Sequence, residues 1–390
     1  MRTVAAALLC FGLIAPLRAH GDAPLQKLTP PDGRFFDDPM AMSSDGHWLA
    51  TLSTDAASAA SLHVFSTDEK SPKSLRADGL PTTVTAVSFL EPTRILITYK
   101  QESGARLMGL IVTLAKDVLA VEKKRLGPAD AIEVGRHDGR PVISVYVHNA
   151  KKVGGEHQIT LFSSDGQKQL AKRSLSETGE GLFRTKAGEL RPLWWSHGHT
   201  QLAAQKIGEY DKARDMRRPD RFVRIDVAAD KTVLEEEIAD PMKFTKTVLD
   251  HKTNPDAELF VRASEDHKEV VVTDGLVQRP LSLERPIGTY ALDSLRSQIV
   301  DEKRVLVSLQ VEPNNSAALS RHTPDADDLD FYLVERSAGS TSPMTTRRAL
   351  TLPGLGRPAT CVSAANKLAV LRKGKGFDRG GGSIELYVVP

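Results

Sequence analysis

A strand–turn–strand phrase written seven times constrains this chain more than any other feature. The stretch MAMSSDGHWLATLSTD at 40–55 reads as an alternating apolar strand, a tight Ser-Asp-Gly turn and a second strand. The same grammar returns as AVSFLEPTRILITYK, EVGRHDGRPVISVYV, LWWSHGHTQLAAQKI, LDHKTNPDAELFVRA, DSLRSQIVDEKRVLVSL and TCVSAANKLAVLRK. Its second strands carry the pairs Leu49-Ala50, Ile95-Leu96, Val142-Ile143, Leu202-Ala203, Leu259-Phe260, Val305-Leu306 and Leu368-Ala369. Successive pairs lie 46, 47, 60, 57, 46 and 63 residues apart, against roughly 40–50 for propeller blades in general. The longer intervals hold insertions.

Each copy continues into a third strand: 62–65, 108–114, 158–162, 222–227, 269–273, 330–335 and 384–389. Apolar and polar residues alternate there with the period of a half-buried strand. A shorter fourth segment follows in most copies, as at 169–175 and 348–352. Four strands per repeat and seven repeats predict an all-β, seven-bladed β-propeller. The last copy ends after its third strand, while Leu25-Gln26-Lys27-Leu28-Thr29-Pro30-Pro31 reads like the fourth strand and exit at 348–353. The N-terminal strand is therefore expected to complete the last blade and cover the edge left open there. Residues 20–390 form one domain on this reading.

The turn SSDGHWLA, and more weakly WSHGHTQLA, resembles the WSPDG-x-x-L/I-A repeat of TolB-type, or WD40-like, propellers. That repeat also recurs in the propellers of prolyl oligopeptidase relatives. In the turns before the second strand, Asp45-Gly46 and Asp138-Gly139 keep the motif's Asp-Gly. The resemblance implies a blade architecture and carries no catalytic residues. It extends over the propeller alone, so a free-standing propeller is expected, without TolB's additional domain or a peptidase's hydrolase domain.

Residues 1–19 place Arg2 before an apolar run from Val4 to Ala15, with Pro16 and Ala19 after it. This is the pattern of a cleaved signal peptide, with the cut expected after Ala19 or Gly21. The apolar run is too short to span a bilayer. Export to a periplasm or the cell exterior follows as an expectation, with no membrane span. Losing the leader removes Cys10 and leaves Cys361 alone, so no internal disulfide can form. The chain has 52 basic and 50 acidic residues. Without Arg2 and Arg18 the two balance, and bulk charge gives no reason to expect a nucleic-acid partner.

His197 and His199 sit where the first copy has Asp45 and His47, so their expected work is to turn the chain. Two histidines alone fall short of a catalytic metal set. Trp194 and Trp195, alternating on a strand, are expected to pack to opposite sides. No Gly-x-Ser-x-Gly elbow is present, and Cys361 falls in an apolar strand where a thiol is inert. A propeller can also gather carboxylates around its axis for glycoside chemistry.

Three copies enlarge the loop between their second and third strands. Such loops leave the ring on the same face as the connections between blades. The fourth copy carries GEYDKARDMRRPDR at 208–221, with Tyr210, Arg214, Arg217, Arg218 and Arg221. The sixth carries 312–330, with Asp325, Asp327, Asp328 and Asp330, and the seventh carries 373–383, with Phe377. Extra length on one face points to a recognition surface; charge runs that pair with each other or stay solvated are the plainer alternative. No cofactor is expected, although calcium suits a run of aspartates. The leading expectation is a monomeric exported scaffold that binds another exported protein or an envelope component through these loops, with Arg217 and Arg218 reversible without harm to folding. An axial enzyme acting on a polysaccharide or lactone, and a peptidase-type propeller without its catalytic domain, remain as alternatives.

Overall fold

The computed structural model describes residues 23–31, 33–68, 73–101, 104, 106–116, 118–149, 155–176, 190–196, 200–239, 259–264, 266–274, 277–300, 304–311, 328–335, 344–345, 347–352, 361–372 and 382–389. They form seven four-stranded sheets in the order of the sequence repeats, antiparallel but for one strand of the fifth, with a separate two-stranded hairpin, and no α-helix occurs among them. Blade 1 runs Arg34–Met42, Trp48–Asp55, Ala60–Ser66, Ser74–Ala77. Blade 2 runs Val84–Glu91, Arg94–Lys100, Leu107–Ala115, Val118–Ala129. Blade 3 is Ala131–His137, Arg140–His148, Glu156–Ser163, Gln169–Ser176. Blade 4 is Leu190–Ser196, Gln201–Lys206, Arg221–Asp226, Lys231–Glu237. Blade 5 shows Leu259–Ala263, Val270–Asp274 and Val277–Ser282, with Met344–Thr345 added in parallel to the last of these. Its expected first strand lies outside the described residues. Blade 6 is Tyr290–Ile299, Arg304–Val311, Leu329–Glu335, Arg347–Leu352. The chain is a seven-bladed β-propeller.

Among the described residues, the apolar pairs of the repeat are explained by burial on both faces of the second strand. In blade 2, Ile95 and Ile97 pack toward blade 1 with Leu52, Leu62 and Val64, while Leu96 packs toward blade 3 with Ile132 and Ile143. The same alternation fills the seams between blades 3 and 4, 5 and 6, 6 and 7, and 7 and 1. At about 25 cal/mol per Å² of apolar surface, these seams are the main favourable contribution to folding. Successive blades are joined by packing, and hydrogen bonds serve chiefly within each sheet.

The last blade comprises Cys361–Ala364, Lys367–Arg372 and Ser383–Val388, and its outer strand is Gln26–Leu28. Gln26 pairs with Leu386, Lys27 with Glu385 and Leu28 with Ile384. Leu28 is buried with Ile384, Leu386, Phe36 and Leu49. The N-terminal strand thus closes the ring, as the sequence predicts.

The Ser-Asp-Gly turn recurs with its hydrogen bonds intact. Ser43 Oγ donates to Asp45 and accepts from the Trp48 N–H, while Asp45 accepts from the His47 N–H. Ser163, Asp165, Gln167 and Lys168 repeat the arrangement, and so do Ser264, Asp266, Lys268 and Glu269. The fourth position has φ +70° at Gly46 and +67° at Gly166, where glycine costs nothing, and +54° at His267, where a side chain is strained. His267→Gly is therefore expected to raise stability by about 0.5–1 kcal/mol, read as a higher urea midpoint with an unchanged slope.

Candidate functional site

In blade 4 the insertion between the second and third strands folds into a hairpin in which Tyr210 pairs with Arg217 and Asp211 with Met216. Asp220 fastens its base: its carboxylate accepts the Gly208 N–H at 2.8 Å, Gln205 Nε2 at 2.6 Å and Arg217 Nη2 at 3.1 Å. The hairpin's two ends press together so closely that a Cβ on Gly208 would lie 1.9 Å from the Arg218 carbonyl oxygen. Only glycine allows that approach.

A cleft of about 470 Å³ opens beside this base, lined in part by Lys206, Glu209, Asp211, Arg214, Arg218 and Glu235. Acids and bases interleave on its walls. Lys206 and Arg221 both reach Glu235 Oε1, at 3.0 and 3.1 Å, and their hydrogen bonds hold that carboxyl below its ordinary range. Arg218 meets Asp211 at 3.4 Å. Among the described residues Arg214 has no such partner. Tyr210 and Met216 stand exposed at 55% and 53%, and Tyr210 donates its hydroxyl to Asp215, which pushes the phenol's pKa up.

The candidate residues therefore separate into different roles. Tyr210 faces solvent, and Arg214 is exposed at the edge of the cleft. Arg218 and Arg221 line the cleft in ion pairs. Arg217 also donates Nε to the Gly208 carbonyl, so it takes part in the hairpin's own clasp as well as presenting charge at the surface. Asp325, Asp327 and Phe377 lie outside the described residues, as do His197 and His199; the strands on either side of the two histidines pair as far as Ser196 with Gln201. The side chains of Trp194 and Trp195 are likewise outside.

Asp328 and Asp330 correct the picture of an exposed acidic loop. Asp328 is buried, and its carbonyl accepts the Val311 N–H. Asp330 is fully buried in the third strand of blade 6. Its carboxylate accepts Tyr290 Oη at 2.8 Å and Thr351 Oγ1 at 2.6 Å, and pairs with Arg285 at 3.0 Å and more loosely with Arg348 at 3.7 Å. Tyr290 and Tyr332 are 2.5 Å apart through their hydroxyls, and burial raises both phenol pKa values. This carboxylate holds blade 6 and the approach from blade 5 together, its oxygens engaged by two hydroxyls and two guanidinium groups. Among the described residues no group of three or more histidine, cysteine or acidic side chains is placed to hold a metal ion.

One cluster on this face escaped the sequence reading. At the end of blade 3 where the second strand leaves and the third returns, His148 stacks on His157 with ring centroids 4.4 Å apart. Tyr146 Oη lies 2.6 Å from His157 Nδ1, the Asp130 carboxylate accepts the His148 N–H at 2.6 Å, and His148 Nε2 is buried without a hydrogen-bond partner. Tyr146 and His148 are two apart on one strand, a spacing that places them on one face, but their meeting with His157 depends on strand register.

The fold and this surface define a β-propeller with a built-up upper face. No protein-family model matches the sequence, and no curated protein matches it. Solved structures similar to it include the β-propeller domain of the Trilobed protease from Pyrococcus furiosus, at 8% identity and TM-score 0.41 over 88% of this chain and 90% of that one. The acylaminoacyl peptidase of Pyrococcus horikoshii shares 10% identity at TM-score 0.40, over 87% of this chain and 49% of that one. The WD40 domain of SCAP from fission yeast shares 11% identity at TM-score 0.42, over 94% and 97%. No helix among the described residues is long and apolar enough to cross a membrane.

Proposed function

We propose that this chain is an exported scaffold that binds a protein or envelope component through its upper face, with the blade 4 hairpin as the principal contact. The supporting observation is the hairpin itself. Its base is fixed by Asp220 and Gly208, while Tyr210, Met216 and the unpaired Arg214 are presented outward. A rigid support carrying an aromatic and an arginine has the composition of interface hot spots. The paired Lys206, Arg221 and Glu235 behind it keep the wall polar and discourage non-specific apolar contact.

Residues 20–390, immobilised, are expected to retain a partner from native envelope extract. Tyr210→Ala with Arg214→Glu is expected to retain at least about tenfold less while melting as the wild type does. Equal retention by both forms would remove the hairpin from the contact. Export is tested separately by N-terminal sequencing of the protein from the envelope fraction, which should begin at His20 or Asp22.

A further inference from the structure

The seam that closes the ring contains a polar side chain with nothing to bond. His63, on the third strand of blade 1, is fully buried, and neither Nδ1 nor Nε2 has a hydrogen-bond partner. Its ring stacks on Phe65 at 6.0 Å and meets the edge of Phe36 at 6.3 Å. Both phenylalanines belong to the apolar layer shared by blades 7 and 1, with Leu28, Leu49, Ile384 and Leu386. Leucine or phenylalanine would satisfy that environment better, because a buried imidazole without partners costs desolvation and returns no hydrogen bond.

The charged groups around it favour the neutral ring. From the first strand of blade 1 comes Arg34, whose guanidinium is held by Ser53, Ser61, Asp55 and the Ala59 carbonyl. From the outer strand comes Arg76, paired with Asp78 just beyond it. The second strand offers Thr51 opposite His63, without charge. Across the seam, Gln26–Leu28 and Ser383–Val388 turn Leu28, Ile384 and Leu386 inward and place Lys27 and Glu385 together on their other side. Among the described residues no carboxylate is hydrogen-bonded to the imidazole. Burial first, then Arg76 and Arg34, pull its pKa from 6.5 down to about 4, against the opposing pull of Asp78.

We propose that the seam between blades 7 and 1 is an acid-sensitive latch, in which His63 must be neutral for the ring to stay closed. A protonated imidazole has no acceptor there among the described residues and can be hydrated only if the two blades part. The folded seam binds fewer protons than the opened one between about pH 6.5 and 4, so closure is fully favoured above that interval and weakens as pH falls through it. The latch adjoins the strand that closes the ring, Gln26–Leu28, which is held to Ser383–Val388 by three residue pairs.

Hydrogen exchange read by mass spectrometry tests this at pH 7.5 and 5.0, corrected for intrinsic rates. In the wild type, peptides covering 23–31 and 383–389 should open at least about tenfold more at pH 5.0, while peptides across 95–97 and 143–145 stay protected. His63→Phe, and His63→Leu as a second variant, should abolish the difference. Unchanged pH dependence in either variant, or equal loosening of all blades, would overturn the latch. So would a His63 imidazole in the wild type seen by NMR to titrate near 6.5 with the seam still protected.

Discussion

Replacing Asp330 with alanine is expected to cost about 3 kcal/mol of folding stability, seen as a lower guanidinium midpoint. The carboxylate is fully buried and serves Tyr290, Thr351 and Arg285 at once. Truncation leaves the Arg285 guanidinium without its anion and the Thr351 hydroxyl without its acceptor, and that loss exceeds whatever the intact pair contributes. Arg285 and Arg348 retain about a third of their exposure, so water softens the effect and keeps it at the lower end for buried pairs. Asp330→Asn should fall between the two, because its amide oxygen still accepts one hydroxyl. A change below about 0.5 kcal/mol would mean that this aspartate behaves as the solvated member of an acidic run.

That contrast shows what the sequence carried and what it did not. The seven blades were legible because burial on both sides of the second strand, seen in the described residues, forces adjacent apolar residues such as Ile95-Leu96 and Val305-Leu306 into the repeat. The closing strand was legible for a related reason: Leu25 to Pro31 resembles the end of another blade. Asp330 was not legible. In one dimension it is both the last of a run with Asp325, Asp327 and Asp328 and the first residue of the expected strand 330–335, and only its pairing between Leu309 and Thr351 shows that its carboxylate is buried. The same limit hid Asp220, whose partners are 3 to 15 residues away in sequence and meet because the hairpin doubles back. Asp165-Gly166 repeats the Ser-Asp-Gly turn at a different corner of the blade, so a search anchored on the second strand passed it by. His63 has no sequence signature, since a histidine between Leu62 and Val64 reads as the polar half of an alternating strand.

Deleting residues 20–31 is expected to have the largest effect on the assembled ring. Leu28 contributes roughly 2 kcal/mol through burial against Ile384, Leu386 and Phe36. The ladder from Leu25 to Leu28, which includes the Leu25 N–H to Leu386 carbonyl bond at 2.7 Å, adds about 1 kcal/mol for each bond lost. Together these amount to roughly 4–5 kcal/mol, a large part of what a typical domain has to spare. The deletion also bares the edge of Ser383–Val388, whose inward residues Ile384 and Leu386 would then face water. An exposed, apolar edge strand recruits another strand, so the truncated protein should self-associate as its concentration rises, which sedimentation velocity would detect. Supplying residues 23–31 as a separate peptide should restore a monomer by refilling the vacant edge, whereas a peptide with Leu28→Asp should not. Monomeric, fully stable truncated protein would show that the ring closes by blade packing alone and that its outer strand is dispensable.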